Sequence, residues 1–276
     1  MEIRITTLSE NTANFGFLAE WGISILVEVN KIKILLDTGM SHSLVHNAQI
    51  LGVDLRTIDW VVLSHAHPDH TGGLREFLMR KGKCKIIGHP DIWANKHVRF
   101  EPGKERYNGI PFPREELESL GAEFIMSKEP FFITDHIMTT GEIPMVTDYE
   151  DIDDRLFVKE GGKLKPDTIA DDLALIINAD SGLVVILGCA HRGVVNILHH
   201  ARNLTGIQQV YAVVGGTHLF RASRERIEKT ANELKMMGVQ KLAASHCTGF
   251  HAACHLSREF GDKYFLNNAG TSFTLP

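Results

Sequence analysis

Ser64-His65-Ala66-His67-Pro68-Asp69-His70-Thr71-Gly72-Gly73 places three imidazoles and a carboxylate within six residues. Imidazole and carboxylate together suit zinc, ferrous iron or manganese. In an extended chain His65, His67 and Asp69 would share one face, because strand side chains alternate with a period of two. A turn can instead aim His65 and His67 at one ion and Asp69 and His70 at a neighbour. The stretch follows Trp60-Val61-Val62-Leu63, a short apolar run of the buried-strand kind. Four such groups at the end of a buried strand are costly to desolvate without a partner. Metal binding therefore outweighs the alternative of a solvated polar turn.

Working outward, Leu74, Phe77 and Leu78 fall at helical spacing after the glycines, and Lys85-Ile86-Ile87-Gly88 reads as a strand. Upstream, Ser24–Val29 and Ile32–Leu36 flank Asn30-Lys31 as a hairpin, and the second strand runs into Asp37-Thr38-Gly39. Downstream, Leu173–Ile177 and Leu183–Leu187 form another hairpin around Asp180-Ser181-Gly182. A helix carrying Val194, Ile197, Leu198 and Ala201 follows, then a strand over Val210–Val214. Ser223 is placed to cap a helix with Ile227, Ala231 and Leu234, stopped by Gly238. A strand over Lys241–Ala244, a helix over Phe250–Phe260 and a last strand over Gly270–Thr274 close the chain. Residues 89–170 differ: they are rich in proline and charge, show little periodicity beyond a helix at Arg114–Leu120, and read as an irregular insertion within one domain.

Four strands end in a polar, histidine-bearing turn: Ser64–His70, Gly188-Cys189-Ala190-His191, Gly215-Gly216-Thr217-His218 and Ser245-His246-Cys247-Thr248-Gly249. Ligand sites in α/β sheets gather beyond strand ends, so these turns can share one site.

Composition sets the class. The chain has 276 residues, 43% hydrophobic and 23% charged, enough for a sizeable core. Net charge is −5, and no Lys/Arg block suggests a nucleic-acid partner. No apolar run approaches the roughly 20 residues that span a bilayer, and the alternating start Met1–Thr6 lacks the features of a signal peptide. Cys84, Cys189, Cys247 and Cys254 show no disulfide-framework spacing. A reduced, cytoplasmic setting without membrane association is expected. Nothing in the sequence sets the oligomeric state.

The Ser64–Gly73 stretch, with Asp37-Thr38-Gly39 at the end of an earlier strand, resembles the metallo-β-lactamase superfamily. The resemblance implies an α/β four-layer αβ/βα sandwich with a one- or two-metal site at the edge of its two sheets. More narrowly, the chain resembles the subgroup that contains dihydropterin-ribofuranosylaminobenzene-phosphate synthase. Thr139–Pro144, Asp171–Leu175, Gly188–Ile197, Gly215–Leu219 and His246–Gly249 carry that likeness.

Such sites add a histidine and a bridging aspartate before a last histidine. Here the strand Leu183–Leu187 ends in Gly188-Cys189-Ala190-His191, without the aspartate. Either Cys189 or His191 can take the ligand role; His191 is favoured as the only imidazole of the turn. Cys189 otherwise reads as a small buried apolar residue. His246 is the expected last ligand. The expected division is His65, His67 and His191 on one divalent ion and Asp69, His70 and His246 on a second. Zinc comes first, with iron or manganese as alternatives. Asp37 is expected to orient the cluster by accepting a ring N–H. His251 and His255 share a helix side, but their spacing from Cys247 and Cys254 argues for a packed helix over a separate zinc site.

The resemblance implies a hydrolase or transferase. Asp69 would hold water and shuttle a proton, and His218 would donate a proton or contact substrate. Arg192 is a candidate phosphate contact, against the commoner alternative of a solvated arginine. An anionic or phosphorylated small molecule is the expected partner. The rival readings are a di-iron redox or oxygen-handling protein and a non-catalytic metal-binding regulatory module.

Overall fold

The computed structural model describes residues 1–276. Its first half contains β1 (Ile3–Ser9), β2 (Ser24–Val29), β3 (Ile32–Leu36), α1 (Ser43–Ile50), β4 (Trp60–Val62), α2 (Pro68–Thr71), α3 (Leu74–Lys81) and β5 (Cys84–Gly88). The middle holds β6 (Lys96–Glu101), β7 (Lys104–Tyr107), α4 (Arg114–Ser119), β8 (Ala122–Met126), β9 (Phe132–Thr134), β10 (Ile137–Thr139), β11 (Leu156–Glu160) and β12 (Lys163–Pro166). The last part runs β13 (Ala174–Ala179), β14 (Gly182–Leu187), α5 (Val194–Thr205), β15 (Val210–Gly216), α6 (Arg224–Met236), β16 (Lys241–Ser245), α7 (Phe250–Phe260) and β17 (Ser272–Leu275).

Two large sheets result, ordered β17-β1-β2-β3-β4-β5-β8 and β16-β15-β14-β13-β10-β9. Side-chain alternation makes each sheet apolar on both faces. Leu175, Ile177, Val184 and Ile186 join Ile25, Val27, Ile34 and Leu36 in one core between the sheets. Their neighbours Ala174, Ile176, Val185 and Leu187 face the other way and pack under Val194, Leu198, Ala231 and Leu256 of α5, α6 and α7. On the far side Leu26, Leu35 and Val61 pack under Leu44, Leu74, Phe77 and Leu78 of α1 and α3. Helices, sheet, sheet and helices stack as the four-layer sandwich that the resemblance implied.

The irregular reading of residues 89–170 is corrected. β8 extends the first sheet beside β5, and β9 and β10 extend the second beside β13. Only β6, β7, β11 and β12 stand apart, as a four-stranded sheet ordered β12-β11-β6-β7. These strands escape a periodicity search because they are short and one-sided: β7 is exposed throughout and β12 nearly so. α1 was also not legible; it has eight residues and no side-chain cap.

The topology sets the site. β3, β4, β5 and β8 pair in parallel, as do β14, β15 and β16. Parallel strands deliver their C-terminal ends to one edge, where the four histidine-bearing turns and Asp37 emerge.

Candidate metal centre

His65, His67, His70, His191 and His246 are all buried, and their ligand atoms converge. His65 Nε2 lies 3.0 Å from His67 Nδ1 and 3.2 Å from His191 Nε2. Asp69 Oδ2 lies 3.6 Å from His70 Nε2 and 3.4 Å from His246 Nε2. Cys189 Sγ falls within 4.8 Å of ligand atoms in three groups, one with His65 and His191, one with His70 and His246, and one with His218 and Cys247. Cys189 and His191 are therefore not alternatives: both side chains enter the cluster, with the thiol between the two histidine groups.

Proton accounting leaves lone pairs pointing inward. Asp37 is fully buried and accepts from Ser64 N at 2.7 Å and Ser64 Oγ at 2.6 Å. Its Oδ2 also accepts from His70 Nδ1 at 2.6 Å, which turns His70 Nε2 toward Cys189 Sγ at 3.1 Å. The Ser64 hydroxyl gives its one proton to Asp37, so it accepts from His65 Nδ1 at 2.9 Å, and His65 Nε2 keeps its lone pair. That lone pair cannot accept from both His67 and His191. His246 Nδ1 is held by Asn11 Oδ1 at 3.0 Å, and its Nε2 is buried with no hydrogen-bond partner. A set of inward lone pairs, a thiol and a carboxylate fits a bound cation and fits little else. Asp37 thus makes the contact expected of it.

Burial dominates the electrostatics. It pushes His65 and His191 well below the ordinary imidazole range, helped by the neighbouring histidines. Burial likewise lowers His67 to about 3. Burial opposes charge on His70 as well, but Asp69 and Asp37 more than offset it and raise the ring to about 9. Burial also works against ionisation of Asp69, yet His70 and His246 hold its carboxyl below the usual range.

Backbone strain concentrates here. Asp37, Ala190, His218 and His246 are four of six non-glycine residues with positive φ. Such conformations persist where the surroundings over-determine them, commonly at functional sites. Gly72 and Gly73 have a steric role: a Cβ at either would strike the Met40 or Thr38 carbonyl of the Asp37–Met40 turn. Thr38 fastens the same turn, donating to His70 O through N at 2.7 Å and Oγ1 at 2.9 Å.

His218 reaches the site. Its ring lies 4.1 Å from that of His191, tilted by 47°, and neither ring nitrogen has a partner. Arg192 is not brought to it. Its guanidinium is tied to Ile143 O at 2.5 Å and Thr168 O at 2.6 Å, outside the cavity over the cluster. That cavity, about 150 Å³, is walled by His67, Asp69, His191 and His246 and by Val98, Phe100, Arg106 and Arg155 from the extra sheet and its approach. Arg106 and Arg155 are the cations placed there.

Sequence reasoning missed Glu10, Asn11 and Lys96, and weighed Cys247 only for a separate zinc site. The Cys247 thiol accepts from His218 N at 3.3 Å and groups with Cys189 and His218. Glu10 accepts from His246 N at 2.6 Å. Lys96 Nζ donates to Asp167 at 2.8 Å and Asp171 at 2.7 Å, and Asp171 accepts from Ala66 N at 2.9 Å, inside the metal turn. The local signal for Glu10-Asn11 is a polar pair at the end of β1; Lys96 gave none. His251 and His255 lie on α7 and join no ligand group.

Comparison with known proteins agrees with this fold. Residues 23–200 match the metallo-beta-lactamase superfamily. A Methanocaldococcus jannaschii protein named 7,8-dihydropterin-6-methyl-4-(beta-D-ribofuranosyl)-aminobenzene-5'-phosphate synthase is 34% identical over 97% of this chain and 95% of its own. A second protein of that organism, uncharacterised, is 30% identical over 92% of this chain and 94% of its own. The crystal structure of Tm1679, described as a metal-dependent hydrolase of the beta-lactamase superfamily, superposes with a TM-score of 0.85 at 29% identity over 98% of each chain. The chain therefore belongs to the metallo-β-lactamase superfamily.

Proposed function

We propose that the protein is a metal-dependent enzyme, a hydrolase or a transferase of synthase type, acting on a phosphorylated or otherwise anionic small molecule. The observation that carries this reading is Cys189 Sγ, shared by two histidine groups. His65, His67 and His191 would hold one divalent ion. Asp69, His70 and His246 would hold a second, with Cys189 between them where the resemblance implies an aspartate. Zinc suits a thiol among imidazoles best; iron is the nearer alternative and manganese the harder one.

Bound divalent metal supplies Lewis acidity and lowers the pKa of water toward about 7. The chain's own residues supply the rest. Asp69 is ionised and can take a proton from a reacting group held above it. His218, with both ring nitrogens unpartnered at the cavity wall, can donate one. Arg106 places positive charge at the mouth, which favours an anionic ligand, while Arg155 beside it is paired with Asp153. The name of the methanogen relative supports a narrower version: joining a dihydropterin-methyl group to a phosphorylated aryl ribofuranoside. The reading places the enzyme in the cytoplasm, where its four free cysteines stay reduced. No helix is long and apolar enough to cross a membrane.

Elemental analysis of protein purified without added metal, followed by assay of phosphoesters, diphosphates, thioesters, lactones and lactams with zinc, manganese and ferrous iron, tests this. Bound transition metal and turnover of phosphorylated substrates are expected. Undisturbed protein free of transition metal would remove the metal reading. Turnover confined to neutral lactams would remove the substrate class.

A further inference from the structure

Beside the cavity over the metal cluster lies a larger one, about 380 Å³, lined in part by Tyr149, Asp153, His218, Arg221 and Arg226. His218 and Asp153 line both cavities. We propose that this second cavity is an anion subsite that holds the non-reacting phosphate of an organic phosphate monoester. The proposal rests on the phosphorylated-substrate reading above and extends it to a place for the far end of the substrate.

The donors in this cavity are buried and unmatched. Arg226 comes from the first turn of α6, and its side chain is 11% exposed. One of its nitrogens pairs with Asp151. Its Nε and other terminal nitrogen are buried without a partner. The Tyr149 hydroxyl is also buried and unpartnered, as are both ring nitrogens of His218. Unmatched buried N–H and O–H groups are costly unless a ligand completes them. Three carboxylates, Asp151, Asp153 and Asp154, line the same cavity, but they do not fill the role. Asp151 is engaged by Arg226, Asp153 is gripped by Arg155 at 2.9 Å and 2.5 Å, and Asp154 is exposed at the rim. A guanidinium, a phenol and an imidazole around one space call for a compact group that only accepts, with oxygens in several directions, once their buried donors turn to it. A phosphate dianion has that form, and arginine suits it in particular. With His218 between the cavities, one phosphorylated group can meet the metals while the phosphate of the same or a second substrate rests on Arg226.

The test is calorimetric titration of the protein as purified with ribose 5-phosphate and, separately, inorganic diphosphate. Arg226→Gln is expected to weaken ribose 5-phosphate by about tenfold or more, the loss of charge-assisted hydrogen bonds. Tyr149→Phe should weaken it about threefold. Metal content and diphosphate affinity should stay within about twofold of the unaltered protein. No ribose 5-phosphate binding by the unaltered protein, or binding that both variants leave unchanged, overturns the subsite. Equal loss of both ligands in Tyr149→Phe with a native circular dichroism spectrum does the same. If Arg226→Gln fails to fold, Tyr149→Phe and Arg226→Lys carry the comparison. Absent metal and absent diphosphate binding, with ribose 5-phosphate still sensitive to Arg226→Gln, would sink the metal reading and leave the subsite standing.

Discussion

Replacing Lys96 with methionine removes the one cation from a closed group of charges under the metal turn. Lys96 is 1% exposed, Asp167 7% and Asp171 0%. The amine makes its two contacts at 2.8 Å and 2.7 Å, and Asp171 holds Ala66 N between His65 and His67. Removing one partner of a buried pair typically costs about 3–5 kcal/mol, because the other charge is left uncompensated. At roughly 2–4 °C per kcal/mol for a chain of this size, the melting temperature should fall by on the order of 10 °C. The pH dependence gives the sharper test. Burial already raises Asp171 above the ordinary carboxylate range while Lys96 pulls it down. Without Lys96 the carboxyl moves further up. A raised carboxyl gives up stability as pH rises through its folded pKa, so the deficit should be larger at pH 8 than at pH 5. In the unaltered protein the amine itself is raised: burial opposes its charge, and Asp171 and Asp167 more than offset that. Its contribution is therefore complete below the lysine range and fades only above about pH 10. Urea unfolding of the metal-depleted protein at pH 5 and pH 8 measures this directly. A deficit under about 1 kcal/mol at pH 8, or one that does not change with pH, would refute the reasoning. Adding Asp171→Asn and Asp167→Asn to Lys96→Met should recover most of the loss, since an uncharged group of similar volume is close to neutral.

Metal uptake should release protons. His70, raised to about 9 in the metal-free protein, must give up its proton to bind an ion, and so must the Cys189 thiol, which burial pushes above the ordinary thiol range. Affinity should therefore rise with pH, and calorimetry in buffers of different ionisation enthalpy should find about two protons released per protein at pH 7; none released would contradict it. Asp37→Asn should weaken metal binding about 10- to 100-fold by competition with a fluorescent chelator, because an amide cannot accept from Ser64 N, Ser64 Oγ and His70 together. Gly188→Ala should destabilise the fold by about 1–3 kcal/mol in urea, since its Cβ would collide with Ser64 Oγ, which cannot move without releasing Asp37. Cys189→Ala should lower metal content from two ions toward one, while Cys189→Asp should restore it; equal content in both variants would remove the thiol from between the ions.

How much of this was legible in the linear chain differs from part to part. The hairpin at Asn30-Lys31, the strands at Leu183–Leu187 and Val210–Val214 and the helix at Phe250–Phe260 could be read because strongly periodic apolar residues fix type and face locally. The sheet at β6, β7, β11 and β12 could not, since its two exposed hairpins, β6–β7 and β11–β12, depend on each other for their form. The choice between Cys189 and His191 belongs to the same class: two residues apart, they look like rivals in sequence and stand together in space.

The amino-acid sequence alone marked a metal site, because clustered histidines after a buried strand have few other uses, and through that motif's likeness to the superfamily it implied the sandwich. Only the folded chain decided that Arg192 is tied to backbone carbonyls, that Arg106, Arg155 and Arg226 face the cavities, and that Glu10 and Asn11 fix His246 from 235 or more residues away. Side-chain direction and long-range partnership follow from how strands pair and where their ends converge, and no local pattern encodes that.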